Sequence, residues 1–362
     1  PPEGVPAVSA DGFPGSRAEP AATAAEVAAM RRALRLATTE GVPLGPNPRV
    51  GCLLLAPGGT TIAEGFHRGA GTPHAEASAL AAAGGAAVGA TAVVTLEPCN
   101  HTGRTGPCSQ ALISAGVARV VYGQADPNPL AAGGAAVLAA AGVQVVGGVL
   151  AAQAAAVNEA WAFAVTHGRP LVTWKVATTL DGRVAAADGS ARWITGPQAR
   201  AEVHALRSRV GAVIVGTGTV LADDPALTAR GPDGAPLARQ PIRVVMGRRP
   251  IPPGAALLDG AAPLRTFPTE TPAQVLAALA DEDVQHVLLE GGPTLAAAFV
   301  RAGLADRVVW YLAPKLLGSG TPGVGDLGIT SIDGAAALRI TAVTRVGADV
   351  RVDGTMWPDQ PR

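Results

Sequence analysis

His74-Ala75-Glu76 follows Thr72-Pro73, and Pro98-Cys99 and Cys108 come later, the two cysteines separated by eight residues. One imidazole and two thiolates make a soft donor set suited to Zn²⁺, and three protein ligands leave the fourth tetrahedral position to water, the count of a catalytic site. Glu76, two residues beyond the histidine, can reach that water without ligating. Zinc lowers the pKa of the water toward about 7, and a nearby carboxylate can take its proton and pass it to a leaving amine. The chemistry open to such a set is hydrolytic removal of an amine from an amidine-like carbon in a heterocyclic ring. Singly, a histidine on a helix face or a buried cysteine is ordinary packing; the joint spacing carries the reading. A structural zinc knot needs a fourth protein ligand, for which His101 is the only nearby candidate, and leaves Glu76 without a purpose. Cys52, in an apolar run, is expected to be buried packing.

A second set of residues lies beyond residue 170. Lys175-Val176-Ala177-Thr178-Thr179-Leu180-Asp181-Gly182-Arg183 runs from an apolar stretch into a turn, and Trp193-Ile194-Thr195-Gly196-Pro197 leads into a helical pattern. Gly216-Thr217-Gly218 lacks the third glycine and the following helix of a dinucleotide fingerprint, so a plain turn is expected there. Leu289-Glu290-Gly291-Gly292-Pro293-Thr294 reads as strand, double glycine and helix start, where free N–H groups and the helix dipole favour a pyrophosphate.

These residues need elements to hold them. Apolar periodicity predicts helices over 23–40, 75–83, 109–115, 135–141 and 150–165, and strands over 50–55, from 61, 91–96, 117–123 and 143–146. That alternation implies an α/β layered domain. His167-Gly168-Arg169-Pro170 breaks it, which places a boundary near 169. Strands are then expected at 171–176, 211–215, 242–246, 287–289 and 308–312, helices at 197–208, 272–280 and 294–302, and a β-rich stretch at 338–356. The expected organisation is an arm over 1–22, a first domain over 23–169 and a second over 170–362.

Composition bounds the partners. The chain of 362 residues carries 28 Lys+Arg and 28 Asp+Glu, so no charge surplus favours nucleic acid or an anionic membrane. Uncharged stretches at 77–96 and 127–158 are mainly Ala and Gly, too weakly apolar to span a bilayer. Three cysteines in so long a chain point to a reduced, cytoplasmic protein. Five prolines among the first 20 residues give the look of a disordered arm. Only 12 residues are aromatic, so the cores must be built from Ala, Val and Leu.

His74-Ala75-Glu76 together with Thr95-Leu96-Glu97-Pro98-Cys99-Asn100-His101-Thr102-Gly103-Arg104-Thr105-Gly106-Pro107-Cys108 resembles the deaminase half of the bifunctional riboflavin-biosynthesis deaminase/reductases. The wide cysteine spacing separates it from nucleoside and tRNA deaminases, whose second cysteine comes after two residues. Asn47, in Pro46-Asn47-Pro48-Arg49-Val50-Gly51, matches the family's substrate-side loop. The segments from Lys175 to Ala313-Pro314-Lys315-Leu316-Leu317-Gly318 are similar, in order, to the reductase half. The resemblance implies a cytidine-deaminase-like α/β/α domain followed by a dihydrofolate-reductase-like α/β domain, Zn²⁺ and NADPH as cofactors, a small pyrimidine ribotide as substrate, and homo-oligomerisation. It implies zinc on His74, Cys99 and Cys108 with Glu76 catalytic, and the ribotide and its phosphate on Asn47, His101, Arg104 and Thr105. Ala177, Trp193, Thr219, Asp223, Gly292, Pro293, Thr294, Leu295, Ala296, Ala297 and Ala298 would line the NADPH site, and Lys175, Ala191, Arg207, Leu227, Arg230 and Glu290 would face the substrate. Arg207 and Arg230 suit a ribose phosphate, while Lys175, Asp223 and Glu290 suit proton handling as the sugar opens. Three positions depart from the family's pattern: Gly106 replaces a frequent proline, Ala191 a substrate-binding serine, and Gly247-Arg248 an Asp-Ser pair, with Arg248 and Arg249 as replacement partners for the adenosine phosphate.

Overall fold

The strand β1 (Gly51–Leu55) is buried at every position and so must be covered on both faces. Ahead of it, Thr23 and Glu26 form a capping box that starts α1 (Ala24–Ala37), whose Met30, Ala33, Leu34 and Ala37 are buried. In this computed structural model, which describes residues 21–102 and 106–356, two compact units are formed. The first holds residues 21–38, Val50–Phe66 and Pro73–Ala155; the second holds Thr39–Arg49, His67–Thr72 and the chain from Ala156 onward. Most of the expected arm lies outside the described residues.

The first unit continues with β2 (Thr61–Phe66), α2 (Ala75–Ala83), β3 (Thr91–Leu96), α3 (Cys108–Ser114), β4 (Arg119–Gln124), α4 (Gly134–Ala140) and β5 (Gln144–Val146). The sheet order is β2-β1-β3-β4-β5. β1 is antiparallel to both neighbours, while β3, β4 and β5 run parallel. The loops that leave the C-terminal ends of β3 and β4 therefore open on one edge of the sheet, the usual place for a site in such a layer.

The single helix expected over 150–165 is two helices, α5 (Ala151–Val157) and α6 (Glu159–His167). Asn158 separates them, because its side chain accepts from the Arg49 N–H at 2.8 Å and donates to the Arg49 carbonyl at 2.9 Å. A side chain that bonds backbone outside the helix competes with helix continuation.

In the second unit an eight-stranded sheet has the order β10-β9-β8-β11-β6-β12-β15-β14. Its elements follow in the chain as β6 (Leu171–Thr179), β7 (Arg183–Ala185), α7 (Pro197–Arg207), β8 (Ala212–Gly216), α8 (Thr217–Asp223), β9 (Ile242–Met246), β10 (Leu264–Phe267), α9 (Pro272–Asp281), β11 (His286–Leu289), α10 (Pro293–Arg301), β12 (Arg307–Ala313), β13 (Thr321–Pro322), β14 (Leu338–Val346) and β15 (Asp349–Met356). Strands from β10 to β12 are parallel and the last two antiparallel. The central strands read as continuous apolar runs, as strands covered on both faces must. Val172, Trp174, Ile214, Val244, Leu289 and Phe299 fill the core between sheet and helices. Gly216-Thr217-Gly218, expected to be a plain turn without a helix after it, instead opens α8. No helix among the described residues is long and apolar enough to cross a membrane.

Candidate active sites

In the first unit His74 is the N-cap residue of α2 and Cys108 the first residue of α3, while Cys99 sits in the loop that follows β3. Helix starts stabilise a thiolate, so the position suits Cys108 as a ligand. The Nδ1 of His74 lies 3.3 Å from Cys108 Sγ and 3.6 Å from Cys99 Sγ. The Cys108 N–H points at Cys99 Sγ at 3.5 Å. The three donor atoms all lie within 4.8 Å of one another. Around a tetrahedral zinc, bonds of about 2.0–2.3 Å set ligand atoms about 3.4–3.8 Å apart. The 3.6 Å imidazole–sulfur separation falls in this range and the 3.3 Å one just below it, so these residues fit the ion. His101, the possible fourth ligand of a structural knot, is exposed and outside the group, which leaves three ligands among the described residues.

The electrostatics suit a metal site. Cys99 is lowered to about 4, first by its hydrogen bond with Cys108 and then, against burial, by His74. Cys108 is pushed the other way by that same hydrogen bond and by burial. One proton is thus shared between two sulfurs that a soft cation would displace. Glu76 is buried and pushed up to about 7, by burial first and with a contribution from Cys99. Cys52 is buried in β1 with its thiol raised by burial, as a packing residue should be.

The loop around Cys99 is held from behind. Glu97 is buried and accepts from the N–H groups of Asp126, Gly133 and Ala135 at 3.1, 3.2 and 3.0 Å. A Cβ on Gly134 would stand 1.8 Å from the Pro98 carbonyl, so only glycine lets α4 start this close to the Cys99 segment. Asp126, passed over in the sequence, is buried, and its carboxyl is pushed up to about 6 by burial, Glu97 and Cys99. The double-proline run Asp126-Pro127-Asn128-Pro129 directly after a strand was the available signal. Arg104 and Thr105 lie outside the described residues. Asn47 belongs to a segment of the second unit, where its Nδ2 is 3.1 Å from His67 Nε2.

The second unit carries a cleft of about 1200 Å³ at the C-terminal ends of β6, β8, β9 and β11. Of the expected cofactor residues, Ala177, Trp193, Thr219, Asp223, Gly292, Pro293, Thr294, Leu295 and Ala298 line it. Ala296 and Ala297 do not; they are buried in α10, with Ala296 packed in the core. All six expected substrate residues, Lys175, Ala191, Arg207, Leu227, Arg230 and Glu290, line the cleft. The Gly292 N–H donates to Thr219 Oγ1 at 3.2 Å and so ties the start of α10 to α8. Trp193 is 62% exposed although it is large and apolar, with the Arg200 guanidinium 4.5 Å from its ring. Such an exposed ring in a cleft wall is available for a flat ligand.

At the cleft floor Arg207 donates to both carboxylate oxygens of Glu290, at 2.6 and 2.9 Å, and to the Thr228 carbonyl at 3.2 Å. Lys175 Nζ lies 3.9 Å from Glu290 Oε2. Burial opposes charge on Glu290, yet Arg207 and then Lys175 outweigh it and hold the carboxyl below its ordinary value. Burial lowers Lys175. Arg207, expected at a ribose phosphate, lines the cleft with its fork bonded to Glu290. Arg230 is held less completely, by Thr228 Oγ1 at 3.1 Å and the Gly234 carbonyl at 3.0 Å.

A zinc-type deaminase layer joined to a parallel sheet with a dinucleotide-sized cleft defines a two-headed enzyme, a hydrolytic deaminase and a reductase in one chain. The family model for the cytidine and deoxycytidylate deaminase zinc-binding region matches residues 24–124, and that for the RibD C-terminal domain matches 170–352. The riboflavin biosynthesis protein RibD of Mycobacterium tuberculosis is 51% identical over 307 residues, covering 84% of this chain and 90% of the relative. The structure of Acinetobacter baumannii RibD superposes with a TM-score of 0.82 at 37% identity, covering 92% of this chain and 99% of that one. A Thermotoga maritima structure, described as a diaminohydroxyphosphoribosylaminopyrimidine deaminase/5-amino-6-(5-phosphoribosylamino)uracil reductase, gives 0.81 at 32% identity, covering 92% and 99%. This chain belongs to the RibD family, the bifunctional deaminase/reductases of riboflavin biosynthesis, with a zinc-binding deaminase domain and an NADPH-using reductase domain.

Proposed function

We propose that the chain deaminates 2,5-diamino-6-(5-phosphoribosylamino)pyrimidin-4(3H)-one and then reduces the ribosyl chain with NADPH to give 5-amino-6-(5-phosphoribitylamino)uracil. The observation that carries the first step is the triad of donors at tetrahedral spacing with a buried carboxyl beside it. His74, Cys99 and Cys108 would hold zinc, which when bound supplies the Lewis acidity that makes water a nucleophile near neutral pH. Glu76, buried beside the three donors, would accept a proton from the attacking water and give one to the leaving amine. Asn47, His101, Arg104 and Thr105 are assigned to the ribotide.

In the second half NADPH supplies hydride. Gly292 to Leu295 offer the helix start for its pyrophosphate, Trp193 a flat face, and Ala177, Thr219, Asp223 and Ala298 the walls. Lys175 and Glu290 handle protons as the sugar ring opens, and Arg207 keeps Glu290 ionised. Ala191, Leu227 and Arg230 shape the substrate end. Positioning of the nicotinamide against the sugar carbon provides most of that step. The functional halves are 23–169 and 170–362.

Homo-oligomerisation is supported by β14, an edge strand exposed at eight of its nine residues, with Ile340 and Val343 61% and 64% exposed. Cytoplasmic residence is supported by three free cysteines, two of them placed for a metal. The test is to supply the pyrimidine ribotide to zinc-loaded protein and follow ammonia, then NADPH oxidation. Ammonia followed by NADPH loss is expected; ammonia alone would remove the reductase claim.

A further inference from the structure

A buried ring is located by its packing, but Trp193 on the wall of the reductase cleft is 62% exposed, so its backbone must locate it. The segment that carries it is held at four points. The Arg192 guanidinium donates to the Asp223 carbonyl, and Arg200 Nη1 donates to the Thr195 carbonyl at 2.8 Å. The other two partners come from far along the chain. Lys315 Nζ donates to the Trp193 carbonyl at 2.7 Å across 122 positions, and the Gly196 N–H donates to Asp349 Oδ2 at 2.7 Å across 153.

Both remote groups are themselves well founded. A long exposed side chain anchors poorly when its own backbone is free, because the freedom it loses offsets the bond it gains. The backbone of Lys315 is not free: the Leu180 N–H donates to its carbonyl at 2.9 Å, and Asp181 accepts from the N–H groups of Leu317 and Gly318 at 3.2 and 2.7 Å. The loop after β12 is thereby bound to the end of β6. Asp349 is buried at the turn between β14 and β15, where it pairs with Val346 across two residues and Gly347 takes φ 64°. Its carboxylate meets the N–H of the N-cap residue of α7, the end of a helix that favours negative charge.

We infer that Lys315 and Asp349 are positioning residues that hold the Trp193 segment in the shape that binds the dinucleotide. The inference rests on the assignment of Trp193 to the NADPH site. Neither Lys315 nor Asp349 lines the cleft, so each acts through the segment it holds. Without them the segment would have to be ordered as the cofactor binds, at the expense of affinity.

The experiment measures NADPH binding to the full-length protein by calorimetric titration. Trp193→Ala should weaken binding, and Lys315→Met and Asp349→Ala should each weaken it about fivefold. Lys315→Arg, which keeps a donor, and Asp349→Asn, which keeps an acceptor, should recover most of the loss. In a Trp193→Ala background neither Lys315→Met nor Asp349→Ala should weaken binding further, because the ring through which they act is gone. Lys315 is exposed, so its variants decide the matter even where Asp349→Ala does not fold. Unchanged affinity in Lys315→Met, or an equal loss with and without the Trp193 ring, would overturn the inference alone. Unchanged affinity in Trp193→Ala would overturn the assignment of Trp193 to the cofactor and this inference with it.

Discussion

Glu76 has two properties that pull against each other in most proteins: it is buried, and it must ionise. Burial raises its carboxyl to about 7, well above the ordinary carboxylate range. Glu76→Gln preserves size and hydrogen bonding but cannot carry a proton. Ammonia release should fall by about 10²–10⁴-fold, with zinc content, measured by elemental analysis, unchanged. Zinc lost along with activity would make Glu76 a structural support for the ligands. This residue and the three ligands were legible because their chemistry is fixed by residue type and their spacing is unusual. Arg207 was legible as a cleft residue, but its bond to Glu290 was not. Its partner Glu290 lies 83 positions away, and no local pattern says which of several arginines a carboxylate will capture. Asp126 was missed for the same reason, since its burial and its nearness to Cys99 follow only from the fold.

Among the elements, long apolar runs were readable and short or glycine-led ones were not. β1, β3, β6 and β12 stand close to where periodicity places them, because their burial is written as continuous apolar sequence. The paired segments β7 and β13 span three and two residues, too short for any pattern. α8 hides behind two glycines that locally argue for a turn, and the break at Asn158 depends on a partner 109 residues earlier. Two tests belong to this scale. Gly134→Ala drives a methyl into the Pro98 carbonyl, so the Cys99 segment must move; zinc retention against a chelator should drop at least tenfold, with NADPH binding intact. On β11, His286 is pushed down to about 4 by burial, from an ordinary value near 6.5, and its Nε2 lies 2.8 Å from Thr173 Oγ1 on β6. Between those values the unfolded chain binds a proton that the fold does not, so stability rises with pH across that window. It is complete above 6.5 and is lost as pH falls toward 4. The full change is about 3 kcal/mol. His286→Gln keeps a hydrogen-bonding side chain and removes the titration; its denaturation midpoint should fall less than that of wild type between pH 7 and 4.5, and parallel curves would refute the assignment.

At the scale of the molecule, a net charge of zero coexists with two sites for phosphorylated ligands. Attraction must then come from a few placed cations; in the reductase cleft Arg207 is bonded to Glu290, while Arg248 and Arg249 are exposed without a hydrogen-bond partner among the described residues. The zinc donors all belong to one compact unit and every residue lining the reductase cleft to the other. Nothing in the reductase chemistry draws on His74, Cys99 or Cys108. Chelation of zinc should therefore abolish ammonia release while NADPH-dependent reduction of the deaminated intermediate, supplied directly, stays within about twofold of the untreated protein. Added zinc should restore the first activity without changing the second. Because zinc binds only the folded ligand set, its removal should also lower the melting temperature of the first unit by mass action and leave NADPH protection of the second in place. Loss of both activities on chelation, with both regained on adding zinc, would mean that the metal supports the reductase as well and that the two heads do not function independently.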